Sequence, residues 1–99
     1  MKLSEAQKKH LRGLGHKLKP LVMVGEAGLT EAVYAEFEST LEHHELIKVR
    51  VRVGDRDARD ATMQTLCERA GAELVQRIGN VALLYRQNPE KQRIRLPKL

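Results

Sequence analysis

Aromatic residues are scarce in this sequence: Tyr34, Phe37 and Tyr85 are the whole supply, and tryptophan is absent. Recognition that stacks splayed bases on rings is therefore disfavoured. Cysteine occurs once, at Cys67, which excludes an internal disulfide and suits a reducing, cytoplasmic setting. No apolar run approaches the roughly 20 residues that span a bilayer, so no membrane association is expected. The opening MKLSEAQKKH also lacks the apolar middle of a secretory signal. Serine occurs only at Ser4 and Ser39, and G-x-S-x-G is missing. GLGHKL at 13–18 lacks the third glycine of a dinucleotide fingerprint and follows a helix pattern, not a strand. GEAGLT lacks the lysine of a phosphate-binding loop. Adjacent His43 and His44 point about 100° apart on a helix, which suits no single ion. Asp55, Asp57 and Asp60 put an acid where a calcium loop needs glycine. No enzyme, metal site or cofactor is expected.

What is present is 99 residues, one domain's worth, with a net charge of +5 that is unevenly spread. Lys2, Lys8, Lys9, Arg12, Lys17 and Lys19 face a single acid, Glu5, before residue 20. Residues 21–47 hold six acids and no Lys or Arg. Basic residues return with Lys48, Arg50 and Arg52, and again in the tail at Lys91, Arg93, Arg95 and Lys98. One surface suits a polyanion and another is acidic. A charge run on a solvated face with no ligand is the plain alternative.

Ser4 with Gln7 forms a capping box that starts a first helix. Leu3, Leu11, Leu14 and Leu18 mark its apolar stripe, and Pro20 ends it. LVMV (21–24) is a continuous apolar run, expected as a buried strand. Thr30 caps a second helix carrying Val33, Phe37, Leu41 and His44 at helical spacing. LIKVRVRV (46–53) alternates, with Ile47, Val49, Val51 and Val53 on one face and Lys48, Arg50 and Arg52 on the other. A third helix presents Met63, Leu66, Cys67 and Ala70 inward and stops at Gly71. Residues 72–86 read as a hairpin turning at Gly79-Asn80. From Gln87 the chain reads as a basic, flexible tail (87–99) after a single domain (1–86). The expected fold is α/β, in the order α-β-α-β-α-β-β. Two strand-helix-strand units and a hairpin then give a four-stranded mixed sheet packed with three helices.

The stretch Gly25-Glu26-Ala27-Gly28 between the first strand and second helix carries definite physics. Glycine adopts unusual φ cheaply and lets another backbone approach, and a helix N-terminus follows, which attracts anions. In KH domains a G-x-x-G loop clamps a nucleic-acid backbone. A tight turn with nothing bound is the alternative. Glu26 is acidic, so positive charge must come from elsewhere: the first helix or the Lys48, Arg50, Arg52 row.

Taken together, LRGLGHKLKPLVMVGEAGLTEAV followed by LEHHELIKVRV resembles the CRM domain family, in particular its small single-domain bacterial YhbY-like members. The resemblance runs from Leu3 to Arg86. It rests on the basic first helix with His16, Pro20, the Gly25–Gly28 loop, Leu29-Thr30 and HELIKV. The resemblance implies an RNA-binding protein associated with precursors of the large ribosomal subunit. It also implies a fold similar to the C-terminal domain of translation initiation factor three. The implied RNA contacts are Gly25, Glu26, Ala27 and Gly28 in the loop, with Lys8, Lys9, Arg12, His16, Lys17 and Lys19 beside them. Lys48, Arg50 and Arg52 are candidates from the charge pattern. The expected partner is ribosomal RNA of the large-subunit precursor, with ribosomal proteins as a further option and a monomer as the assembly state. A protein–protein adaptor is the competing reading: Glu31, Glu36, Glu38, Glu42 and Glu45 on the second helix would dock a basic ribosomal protein or assembly factor.

Overall fold

Local signals in the chain set where each element begins. In the computed structural model, which describes residues 2–97, Ser4 accepts from the Gln7 amide at 3.1 Å while Gln7 Oε1 accepts from the Ser4 amide at 3.0 Å. That reciprocal cap starts α1, Glu5–Gly15. Thr30 caps α2, Glu31–His44, by accepting from Val33 N–H at 3.2 Å. Asp55 caps α3, Arg56–Ala70, and Gly71 closes it in the left-handed conformation. The strands are β1 Pro20–Val24, β2 Leu46–Val51, β3 Glu73–Ile78 and β4 Val81–Tyr85.

They form one mixed sheet in the order β1-β2-β4-β3, with β1 parallel to β2 and the other pairs antiparallel. The hairpin's second strand is therefore inserted between β2 and β3. Helices lie on both sides of this sheet. On one face, Val22, Val24, Ile47, Val49, Val51, Ala82 and Leu84 pack with Phe37 and Leu41 of α2 and with Met63 and Leu66 of α3. On the other, Leu46, Val75, Leu83 and Tyr85 pack with Leu3 and Leu11 of α1.

Three sequence expectations need correction. The α1 stripe is Leu3, Gln7, Leu11 and Gly15, whereas Leu14 and Leu18 are exposed. The reason is close approach: a Cβ at Gly15 would stand 2.6 Å from Leu83 Cδ2, so glycine holds the inward position. β1 is an edge strand rather than a buried one, with Leu21 and Met23 outward and Val22 and Val24 inward. His44 is exposed as well, so α2's inward face ends at Leu41.

The segment from Gln87, expected to be a flexible tail, lacks helix or strand but is tied down. Glu45, wholly buried, accepts from the backbone N–H groups of Asn88 (2.6 Å), Arg93 (2.6 Å) and Ile94 (2.8 Å). Gln7 Nε2 donates to Pro97 O at 3.0 Å, and Ile94 and Leu96 pack against the α1-side core. Lys98, counted with the tail's basic residues, lies outside the described residues.

Candidate nucleic-acid interface

Helix α1 and the returning tail cover only part of their sheet face. The uncovered part is a cleft of about 250 Å³ lined by Pro20, Lys48, Arg50, Gln76, Ile78, Val81 and Leu83. Strand alternation puts Lys48 and Arg50 on that face, and pairing aligns Lys48 with Leu83 and Arg50 with Val81. The cleft thus has cations over a mostly apolar floor, and Ile78 is 68% exposed on it. A neighbouring groove, about 470 Å³, runs along the β1 edge and joins Lys19 to Arg50 beside Leu21 and Met23. Among the described residues, Lys19, Lys48, Arg50 and Arg52 have no carboxylate partner. An unpaired cation row on a half-apolar surface can meet phosphates and the faces of bases or sugars together.

The Gly25–Gly28 loop sits at the far end of β1 from Lys19. Gly28 N–H donates to Gly25 O at 2.9 Å, closing a turn with Glu26 and Ala27 exposed at its tip. The two glycines have different reasons for being there. Gly28 has φ +81°, which a side chain resists, whereas Gly25 is not in the positive-φ region. A Cβ on Gly25 would meet nothing within 4 Å. Neither the turn nor packing demands glycine at 25. Arg52 adjoins the loop, its N–H donating to Val24 O at 2.8 Å. The α2 terminus beyond is partly committed: Thr30 takes one amide, and the Glu31 carboxylate lies 2.9 Å from Arg69 Nη2. Arg69 also lies over the Tyr34 ring, 3.8 Å from its centroid. Its hydrogen bond holds the Glu31 carboxyl below the usual range.

The structure brings Lys19, Lys48 and Arg50 together and sets Arg52 beside the loop. It does not bring Lys8 and Lys9 to the cleft. They stand on the first half of α1, about 10 Å along the helix from Gly15 at 1.5 Å per residue. Lys8 has Glu5 3.9 Å away, and Arg12 is half-buried. His16 and Lys17 are exposed just past the helix end. Gln76, Ile78 and Val81 were missed as site residues. Their signal was the hairpin alternation, but which strand it would flank depends on non-local pairing.

The acidic second helix is largely engaged inside the molecule. Glu31 pairs with Arg69, Glu38 pairs with Arg86 at 2.6 Å, and Glu45 holds the tail. Glu36 and Glu42 remain as outward carboxylates of the expected docking face. Burial pushes the Cys67 thiol up to about 11, with the Glu73 and Glu68 charges adding to it, so the thiolate is disfavoured at neutral pH. Among the described residues no group of three His, Cys, Asp or Glu side chains could hold a metal ion. Likewise no described helix is long and apolar enough to cross a membrane.

Comparison with known proteins meets this geometry. The family model for the CRS1 / YhbY (CRM) domain matches residues 3–86. The chain is 49% identical over 90 residues to the "Probable RNA-binding protein PA4753" of Pseudomonas aeruginosa, covering 91% of this chain and 86% of that one. It is 46% identical over 96 residues to a Haemophilus influenzae protein named "RNA-binding protein", covering 97% and 96% of the two chains. The solution structure of SAV1595 from Staphylococcus aureus superposes with a TM-score of 0.82 at 38% identity, covering 97% of this chain and all of that one. A sheet with helices on both sides, an open basic cleft and a glycine loop beside it are thus carried by a chain that belongs to the CRS1 / YhbY (CRM) domain family.

Proposed function

We propose that this chain is a non-catalytic RNA-binding protein acting on ribosomal RNA in precursors of the large ribosomal subunit. The observation that carries the reading is the unpaired cation set Lys19, Lys48 and Arg50 around an open, apolar-floored cleft. The names of the relatives and the family's resemblance supply the class of ligand. RNA backbone lies along the cleft, with its phosphates on Lys48 and Arg50 and one strand of sugar-phosphate passing the Gly25–Gly28 turn. Gly25 then has a reason to be glycine that the fold alone does not provide: a strand can come against the bare backbone. Lys9 and Lys17 extend the positive field along α1, and His16 is exposed beside them. With aromatic rings buried or engaged in the core, recognition rests on backbone and shape rather than stacking.

The test is fluorescence anisotropy with a labelled fragment of large-subunit ribosomal RNA, over a salt series. Lys48→Gln with Arg50→Gln should weaken binding about tenfold or more. It should also lower the slope of log K against log salt by about 1.4, two phosphate contacts at ~0.7 each. Gly25→Leu should weaken binding with no loss of melting temperature. Gly28 is the poorer probe, because its φ of +81° makes any side chain there strain the turn. Unchanged affinity in both variants sinks the placement of the interface. Sedimentation of lysate at low and high salt addresses the ribosomal part. Salt-sensitive comigration with large-subunit particles is expected, and absence from them at low salt would refute it.

A further inference from the structure

A second basic concavity lies away from the Lys48–Arg50 cleft. The first turns of α3 and the tip of the β3–β4 hairpin enclose a cleft of about 320 Å³ lined by Arg56, Arg59, Arg77 and Gly79. That is far more than the roughly 10–15 Å³ a single water needs. On α3, Arg56 and Arg59 fall on the same side as Met63 and Leu66, the side facing the sheet. Arg56 is exposed there and Arg59 is half-buried.

The three guanidiniums are not equally occupied. Arg77 is anchored, pairing with Asp60 through Nη1 and donating from Nε to Gly79 O at 3.2 Å. Arg59 Nε is buried and has no hydrogen-bond partner. Arg56 has no carboxylate partner among the described residues. A buried donor without an acceptor is rare in folded proteins and marks a place where one belongs. The nearby acids do not supply it: Asp55 caps the helix by accepting from Ala58 N–H at 2.9 Å, and Asp60 is taken by Arg77. Asp57 lies about 100° round the helix from Arg56.

The geometry points to this arginine cleft as a second phosphate-binding site, taking a phosphodiester of the same RNA that crosses the β1 end. The inference rests on the RNA reading above and extends its path. Guanidinium forks match phosphate oxygens in pairs, which a lysine cannot do. The placement fits one continuous track. Val51 N–H donates to Asn80 O at 2.7 Å, which sets the hairpin tip beside the end of β2, where Arg52 stands next to Val24 and the Gly25 loop. The strand order β1-β2-β4-β3 separates loop and cleft by three strand spacings, about 14 Å at ~4.8 Å each. A polyanion laid across that end of the sheet passes the glycine turn, then Arg52, then the arginines.

Two measurements test it. In the wild-type protein, arginine Nε–Hε signals are followed by NMR during titration with sodium phosphate at constant ionic strength. Saturable shifts of the Arg56 and Arg59 signals, well beyond that of exposed Arg95 in the tail, are expected; shifts no larger than that of Arg95 overturn the site. In the second, labelled ribosomal RNA is titrated against Arg56→Gln with Arg59→Gln, beside Lys48→Gln with Arg50→Gln. The arginine pair should lose about tenfold in affinity and about 1.4 in salt slope. If only the Lys48–Arg50 pair weakens binding, the second site is wrong and the RNA reading stands. If the wild-type protein binds no RNA, the RNA reading itself fails, and the assignment of the cleft to a phosphodiester fails with it.

Discussion

The two faces of the sheet are built from the same strands yet used differently. Among the described residues, one is closed by α2 and α3 over thirteen buried residues, with Phe37, Val49 and Leu66 at 0% exposure. The other has six buried core residues among those described and is closed by α1 and by the returning tail, with Ile94 and Leu96 half-buried against them. Closure stops short there, and the open cleft begins. A face that must expose cations cannot also be sealed by a helix, because burying an unpaired charge is far costlier than leaving it in water. The molecule thus keeps its larger core on one face and its open Lys48–Arg50 cleft on the other.

Truncation should separate the two faces by size of effect. Phe37→Ala is expected to destabilise by about 3–5 kcal/mol, the usual range for a buried aromatic. Leu3→Ala, 6% exposed at the margin of the thinner core, should fall near the low end for a buried leucine, about 2 kcal/mol. Denaturant melts of both read the difference, and equal losses would break the comparison. A second cut tests whether the tail belongs to the thinner face. Glu45→Ala removes the acceptor of three backbone N–H groups and should lower stability by about 2 kcal/mol. It should also make residues 87–97 cleavable by protease while the strands stay protected. If cleavage is unchanged, the tail is held by Ile94 and Leu96 instead.

The smallest effects come from two glycines of α1 and should have opposite signs. Gly15→Ala forces a methyl onto Leu83 and should destabilise by about 1–2 kcal/mol. Gly13→Ala meets nothing within 4 Å on an exposed helical site and should stabilise by about 0.5–1 kcal/mol. A melting series on the pair would show whether α1 is seated by contact or merely by propensity.

Legibility in the sequence tracked how local the cause was. The caps at Ser4 and Thr30, the stop at Gly71 and the turn at Gly79-Asn80 were readable because each depends on residues close by in the chain. The alternation of Lys48, Arg50 and Arg52 against Ile47, Val49 and Val51 was readable for the same reason. Leu14 and Leu18 were misplaced because helical spacing cannot reveal that Gly15 would press against Leu83, a strand residue far along the chain. Glu45 looked like one more acid on an acidic helix, and its burial depends on residues 88–94 returning to it. Arg56, Arg59 and Arg77 carried no shared signal, since one belongs to the hairpin and two to α3.

The sequence by itself determined the elements, their order and the alternation that sets cations on one side of β2. These follow from backbone propensity and periodicity, which act over a few residues. Only the tertiary structure decided which part of that cationic side stays open and that the tail seals its neighbour. It also decided that the turn's backbone requires glycine at Gly28 but not at Gly25. Those outcomes depend on which surfaces meet, and pairing β4 between β2 and β3 fixes that across the whole chain.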